Sequence, residues 1–291
     1  MLGITLKVWV HPISLGLERY LPIGIIGCGA IGSFIAKSVD SGIVPMMKIK
    51  VIYDRNIHKS EALASILKDK PKIARSFDEF LSEDINLVIE AASQEAVRAY
   101  SLPILRSGKD LMIMSVGALV DEKLLAEIRE EAMRNGRRVY IPSGAILGID
   151  GLRAACIGGI HKVILTSRKP PKAFEDDEYI KGIGLNLKDV TEPLLVFEGS
   201  ARDACKLLPR SVNIASTISL AGIGVDRTLV RVYIDPTIDR NIHELYVEGE
   251  FGRFHVETMN LQSPSNPKTS LLAALSALAV LRSIIDPIKI G

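Results

Sequence analysis

The chain has 291 residues, 47% hydrophobic and 24% charged, which excludes a disordered or fibrous protein and leaves room for two modest domains. A formal net charge of +2 gives no field for nucleic acid, and no run reaches the ~18 apolar residues of a membrane span. The three cysteines, Cys28, Cys156 and Cys205, have no metal-like spacing, so the reading is buried thiols in a reducing, cytoplasmic setting with no metal site.

Residues 1–21 lack the basic start, apolar centre and small-residue cleavage site of a secretory leader. They read as an N-terminal extension, either a short extra strand or an unstructured arm. From Pro22, short apolar runs alternate with helical patterns. "IGIIG" is strand-like and Ala30 to Asp40 has helical spacing. "MKIKVIYD" (Met47 to Asp54) is a second strand, followed by a helix over "HKSEALASILKD". "KIAR" is a brief strand before "FDEFL". "NLVIEAA" (Asn86 to Ala92) and "DLMIMSV" (Asp110 to Val116) read as strands buried on both faces. The helix "QEAVRAYSLPIL" lies between them. "DEKLLAEIREEAMRNG" has the acidic start and glycine-terminated end of a helix, and "RRVYIP" closes the set. Strands and helices alternating at this spacing predict a doubly wound parallel sheet, a Rossmann domain over residues 22–144.

After Ala145 the period changes to two: "HKVILTS", "TLVRVYID", "HELYVEG" and "RFHVETM". This predicts an α+β domain over 145–265 with an antiparallel sheet, one face covered and one exposed. Two helix patterns, "SARDACKLLP" and "SVNIASTISLAG", interrupt it. The exposed face suits pairing of two copies, so a homodimer is expected. The last element, "NPKTSLLAALSALAVLRSII", is an apolar helix, placed in residues 266–291 and back against the first domain.

Gly27, Gly29 and Gly32 form G-x-G-x-x-G after a strand and before a helix. The first glycine permits the turn, the second lets backbone approach a pyrophosphate, and the third lets helix and strand pack closely. The helix start at Ala30 and Ile31 offers unpaired N–H groups to phosphate. Asp54 ends the next strand, close to the ~20-residue spacing at which an acidic residue binds the ribose hydroxyls. That favours NAD; the adjacent Arg55 keeps NADP open. Ala92 and Ser93 end the fourth strand, where a dinucleotide crosses the sheet.

Several stretches together resemble the L-aspartate dehydrogenase family: "GIIGCGAIG", "EAASQEAV", "SVGAL", "IPSGAILGIDGL", "TSRKPP", "VFEGSARDA", "LPRSVNIASTISLAG", "NIHELYVEGEFG" and "NPKTSLLAALS". The resemblance runs from Pro22 to Ile285. It departs at the N-terminal extension and at the longer segment "EDDEYIKGIGLNLKDVTE". It implies oxidation of L-aspartate to iminoaspartate and oxaloacetate with NAD or NADP, or the reverse amination, feeding pyridine nucleotide biosynthesis. It also implies a catalytic role for His243 and cofactor contacts at Ala145 and Asn213.

From the residues alone, amine oxidation asks for a base, and histidine suits it. Of the five histidines, His11 is in the extension, His58 follows the Asp54 loop, His161 begins a strand and His255 alternates with Glu257 toward water. His243 alternates with Leu245 and Val247 on the covered face, a position that a core histidine also fits. A dicarboxylate substrate asks for cations, and Arg168, Lys169 and Lys268 are the candidates, the last at the start of the final helix. Ser143-Gly144-Ala145 offers backbone N–H groups at the nicotinamide end, and Asn213 a hydrogen bond to the carboxamide or ribose. Two alternatives stay open: another amino-acid or imino-acid dehydrogenase on this architecture, or a non-catalytic NAD-binding sensor.

Overall fold

The structure, a computed structural model, describes residues 20–208, 212–263 and 266–290, with the side chains of 212, 263 and 266–269 outside that description. Residues 1–19 of the expected extension lie outside the described residues. The first sheet contains β1 (Leu21–Ile26), β2 (Met47–Tyr53), β3 (Lys72–Ile73), β4 (Leu87–Glu90), β5 (Asp110–Ile113) and β6 (Val139–Tyr140). Its order is β3-β2-β1-β4-β5-β6 and every pairing is parallel. The winding reverses between β1 and β4, which opens a crevice at the carboxyl ends of those strands.

Helices α1 (Ala30–Asp40), α2 (Ile57–Ile66), α3 (Phe77–Leu81), α4 (Gln94–Arg106) and α5 (Glu122–Arg134) connect these strands. Side-chain caps fix several starts: Asn56, Ser93 and Asp121 each accept a hydrogen bond from a first-turn N–H. The strands are apolar throughout because both faces are covered. Ile23 and Ile25 pack with Ile35 and Val39 on one side, while Ile26 and Val88 pack with Phe80 and Ile104 on the other.

The second half begins with α6 (Ile149–Gly158) and β7 (Ile160–Lys169). It continues through α7 (Glu178–Gly182), β8 (Leu194–Ser200), α8 (Ala201–Leu207), α9 (Val212–Ala221), β9 (Thr228–Ile234), β10 (Asn241–Gly249) and β11 (Gly252–Asn260). The sheet order is β11-β10-β7-β9-β8. Three pairings are antiparallel and β7–β9 is parallel, because α8 and α9 carry the chain from the edge strand β8 back to the centre. One face carries Val163, Leu165, Val230, Leu245 and Val247, covered by Leu152 of α6, Ala204 of α8 and Ile218 of α9. The period-two reading finds neither α6 nor β8. The first has two glycines and starts after a left-handed Gly148 (φ 79°), so it shows little helical signal.

The apolar helix expected from Asn266 starts later, as α10 (Leu271–Ile285). Residues ahead of it form β13 (Asn266–Ser270), paired with β12 (Gln262–Ser263). The Leu271 N–H bonds to the Leu261 carbonyl, so the chain stays extended up to Ser270. Ala277, Leu278 and Leu281 of α10 pack into the first core with Ile35 and Val39 of α1. No helix among the described residues is long and apolar enough to cross a membrane.

Candidate active site

The glycine loop follows β1 and opens α1. Gly27 has φ 97°, and a Cβ there would lie 2.6 Å from the Ala91 carbonyl carbon. A Cβ on Gly32 would lie 1.9 Å from the Gly27 carbonyl oxygen, so helix and loop touch backbone to backbone. A Cβ on Gly29 would meet nothing within 4 Å. Gly29 is also the N-cap of α1 and gives no side-chain cap, so the first-turn N–H groups from Ala30 and Ile31 remain available. This is a cradle that a side chain would fill, and it fits a pyrophosphate.

Asp54 follows β2 and reaches back to the loop. Its Oδ2 accepts from the Cys28 N–H at 2.8 Å and its Oδ1 from the Asn56 N–H at 2.9 Å. With Gly27, Gly29, Ala92, Ser93 and the exposed Arg55 it lines a cavity of about 250 Å³. Sequence reasoning missed Glu90 beneath this cavity. Its buried carboxylate accepts from Ala92 N (2.8 Å), Ser93 N (3.0 Å), Ser115 N (3.0 Å) and Ser115 Oγ (2.8 Å). Burial pushes its pKa up even so. Its one signal in sequence is an acidic residue inside an apolar strand run.

A second cavity of about 200 Å³ lies on the other side of the α1 start. Ile31, Met114, Gly144, Ala145, Lys169, Asn213 and His243 line it. The two cavities divide the expected site residues between them, apart from Ala30, Arg168 and Lys268. Ala30 begins α1 without lining either cavity.

Two cation candidates are placed differently from the expectation. Arg168 turns away from the cleft and pairs with the buried Asp235, through Nε at 2.9 Å and Nη2 at 2.5 Å. Lys268 lies on β13, ahead of the last helix rather than at its start, and its side chain is outside the described residues. Lys169 is the charged side chain among the described lining residues of the second cavity, and its Nζ stands 5.8 Å from the centre of the Phe174 ring.

His243 sits near the start of β10, 3% exposed, flanked by β7 and β11. Its Nδ1 is 3.0 Å from Ser167 Oγ. Burial first, and the Lys169 ammonium second, push its pKa down to about 3, so the imidazole is neutral at pH 7. His58, His161 and His255 are exposed and lie against Glu61, Glu250 and Glu244; His11 lies outside the described residues.

Asn213 joins the two halves. Its Oδ1 accepts from the Gly117 N–H at 2.9 Å, which fixes the amide orientation and makes Nδ2 the group it can offer a ligand. The Ala145 carbonyl accepts from Thr258 Oγ1 (3.2 Å) and Asn260 Nδ2 (3.1 Å), while the Gly144 N–H donates to Ser276 Oγ at 3.0 Å. Ser167, Thr258 and Asn260 were not singled out from sequence. Ser167 and Thr258 share the alternation that marks covered positions on β7 and β11.

Comparison with known proteins agrees with this layout. Residues 150–284 match the family model described as aspartate dehydrogenase, C-terminal, and residues 27–142 that described as homoserine dehydrogenase, NAD binding domain. An L-aspartate dehydrogenase of Methanocella arvoryzae is 47% identical over 92% of this chain and 98% of its own length. That of Methanocaldococcus jannaschii is 41% identical over 93% and 99%. The crystal structure of aspartate dehydrogenase from Thermotoga maritima superposes with TM-score 0.72 at 33% identity, covering 94% of this chain and all of that one. A myo-inositol dehydrogenase from Lactobacillus casei, at 15% identity and TM-score 0.56, shares the fold alone. On these matches, the chain belongs to the L-aspartate dehydrogenase family.

Proposed function

We propose that the chain is an NAD(P)-dependent L-aspartate dehydrogenase. It oxidises L-aspartate to iminoaspartate, which water converts to oxaloacetate and ammonia, and it runs the reverse amination. The observation that carries this reading is the second cavity: a buried neutral histidine and a lysine face the start of α1 across a cleft that both halves line. The glycine loop and the first turn of α1 would hold the pyrophosphate, and Asp54 the ribose hydroxyls. Exposed Arg55 leaves a cation for a 2′-phosphate, which supports use of either NAD or NADP. Ala92 and Ser93 would border the crossing point, and Ala145 and the Asn213 Nδ2 the nicotinamide end. The cofactor, when bound, supplies the hydride acceptor.

The residues of the chain then handle the substrate. Lys169 pairs with a substrate carboxylate, with Lys268 as the second candidate. His243 meets the groups on Cα. Residues 145–265 act as the substrate and dimer unit. β11 is an edge strand with Met259 exposed on it and Leu261 exposed beside it, which supports a homodimer. A cytoplasmic site and a supply of iminoaspartate to pyridine nucleotide synthesis follow from the same reading.

The test is absorbance of reduced cofactor in purified protein given L-aspartate, L-glutamate or homoserine with NAD or NADP. Selective turnover of L-aspartate is expected. Faster turnover of another amino acid, or tight NAD binding with no turnover, overturns the reading.

A further inference from the structure

A buried hydroxyl has one hydrogen to place. The Ser167 side chain is buried on β7, and among the described residues its hydrogen-bond partner is His243 Nδ1, at 3.0 Å. If Nδ1 carried the imidazole proton, the Ser167 oxygen would accept it and its own O–H would be left buried without an acceptor. An unpaired buried donor costs about 1–3 kcal/mol. If the Ser167 O–H donates to a bare Nδ1, no donor is stranded. The proton of the neutral ring then sits on Nε2, the nitrogen left to meet a ligand in the cleft.

We propose that Ser167 is a positioning residue that holds His243 as a neutral imidazole with its proton on Nε2, so that His243 acts on the substrate as a hydrogen-bond donor rather than as a base. This deepens the aspartate dehydrogenase reading and rests on it. A carboxylate or a backbone carbonyl in place of Ser167 would accept from Nδ1–H and leave Nε2 bare; the hydroxyl does the opposite. The other groups facing the ring are Lys169 on β7, Asn241 on β10 and Thr258 on β11. The Thr258 hydroxyl is committed to the carbonyls of Ala145 and His243.

The donor role suits one step of the aminating direction. The nitrogen lone pair of ammonia forms the new C–N bond to the oxo carbon, and the C=O π pair moves onto oxygen. An Nε2–H aimed at that oxygen stabilises the developing charge while the ring keeps its proton. The neutral donor also adds no second cation beside Lys169 in the cleft.

The experiment is 15N NMR of the full-length protein with 15N-histidine, with and without NAD, the His243 signals being assigned by their loss in His243→Gln. Expected is a bare Nδ1 and a protonated Nε2 in the wild type. Ser167→Ala should mix the two tautomers and lower kcat roughly fivefold to tenfold, with KM and the Kd for NAD within about twofold. Ser167→Thr, which keeps the hydroxyl, should restore the single tautomer. A protonated Nδ1 with a bare Nε2 in the wild type overturns the proposal, as does unchanged kcat in a folded Ser167→Ala. If Ser167→Ala does not fold, the wild-type spectrum decides alone. Normal turnover in His243→Ala would overturn the donor role, whereas absence of L-aspartate turnover in the wild type would overturn the activity reading and leave the tautomer result standing.

Discussion

Arg168 and Lys169 are neighbours with opposite assignments, and removing each charge separates them. The Asp235 side chain is fully buried, while that of Arg168 is 31% exposed. Burial pushes the Asp235 pKa up, but the Thr237 hydroxyl and N–H together with the Arg168 guanidinium outweigh it and hold the carboxyl below its ordinary 3.8. Arg168→Met removes two hydrogen bonds to Oδ2, while Thr237 keeps two on Oδ1. Stranding a buried charge costs about 3–5 kcal/mol; retained Thr237 bonds and water at the rim bring this to about 2–3 kcal/mol. For a chain of this size that is a fall in Tm of roughly 5–10 °C. The sign with pH follows from the lowered carboxyl: the stabilisation is present above the unfolded-state value and is lost as pH falls through the folded one. The gap between wild type and variant should therefore narrow below about pH 3.8. Lys169→Met should instead raise KM for L-aspartate about 10- to 100-fold through loss of one charged hydrogen bond. Scanning calorimetry and initial rates on both variants decide. A large KM effect in Arg168→Met with unchanged Tm would refute the reasoning.

His243→Ala should lower kcat by about 10²- to 10⁴-fold while the Kd for NADH, read by fluorescence titration, stays within about twofold. Near-normal turnover would remove His243 from the chemistry. Gly29→Ala places a methyl in open space, so Tm should hold while the Kd for NAD rises at least about tenfold. Gly32→Ala drives a methyl into the Gly27 carbonyl and should lower both Tm and affinity; equal Tm for the two variants would be inconsistent with the loop geometry. Asn213→Asp keeps the oxygen that accepts from Gly117 N and loses the Nδ2 donor, so it should weaken NAD binding with less loss of Tm than Asn213→Ala. The opposite ranking in melting curves would show that the amide serves the cofactor alone.

Elements with strong local signals were legible in sequence. The glycine loop, the strand before it and the helix after it could be read because Gly27 and Gly32 answer to contacts of backbone on backbone and Gly29 leaves the helix start open. His243 could be placed on the covered face because Leu245 and Val247 share its period. Arg168 could not be assigned by inspection of its own neighbours, since Asp235 lies 67 residues away. The alternation on β7 nevertheless carried the answer: Ser167 and Lys169 continue the covered face of Val163 and Leu165, and Arg168 falls on the other. Glu90 was hidden for a related reason. Three of its four donors are backbone N–H groups of two loops, and backbone leaves no mark on sequence. β13 escaped because an apolar helix directly follows it, and a helical period extended backward absorbs a short strand.

The location proposed for the chemistry follows from what each half lacks. The first sheet presents a phosphate cradle and a crevice at its carboxyl edge, but no titratable side chain of its own lines the second cavity. The second sheet supplies the histidine and the lysine from its central strands β10 and β7, but has no dinucleotide loop. The two become one site only at a fixed distance. Ties between the halves include Asn213 on the Gly117 N–H and the Arg202–Glu122 ion pair, while Ser276 on Gly144 and Thr258 with Asn260 on the Ala145 carbonyl hold the segment that links them. Val120 packs against the second core and Leu220 against the first, so the spacing between His243 and the glycine loop rests on apolar packing as well as on these donors and acceptors. Substitution of those donors should therefore act on the rate through geometry, even at positions that touch neither substrate nor cofactor.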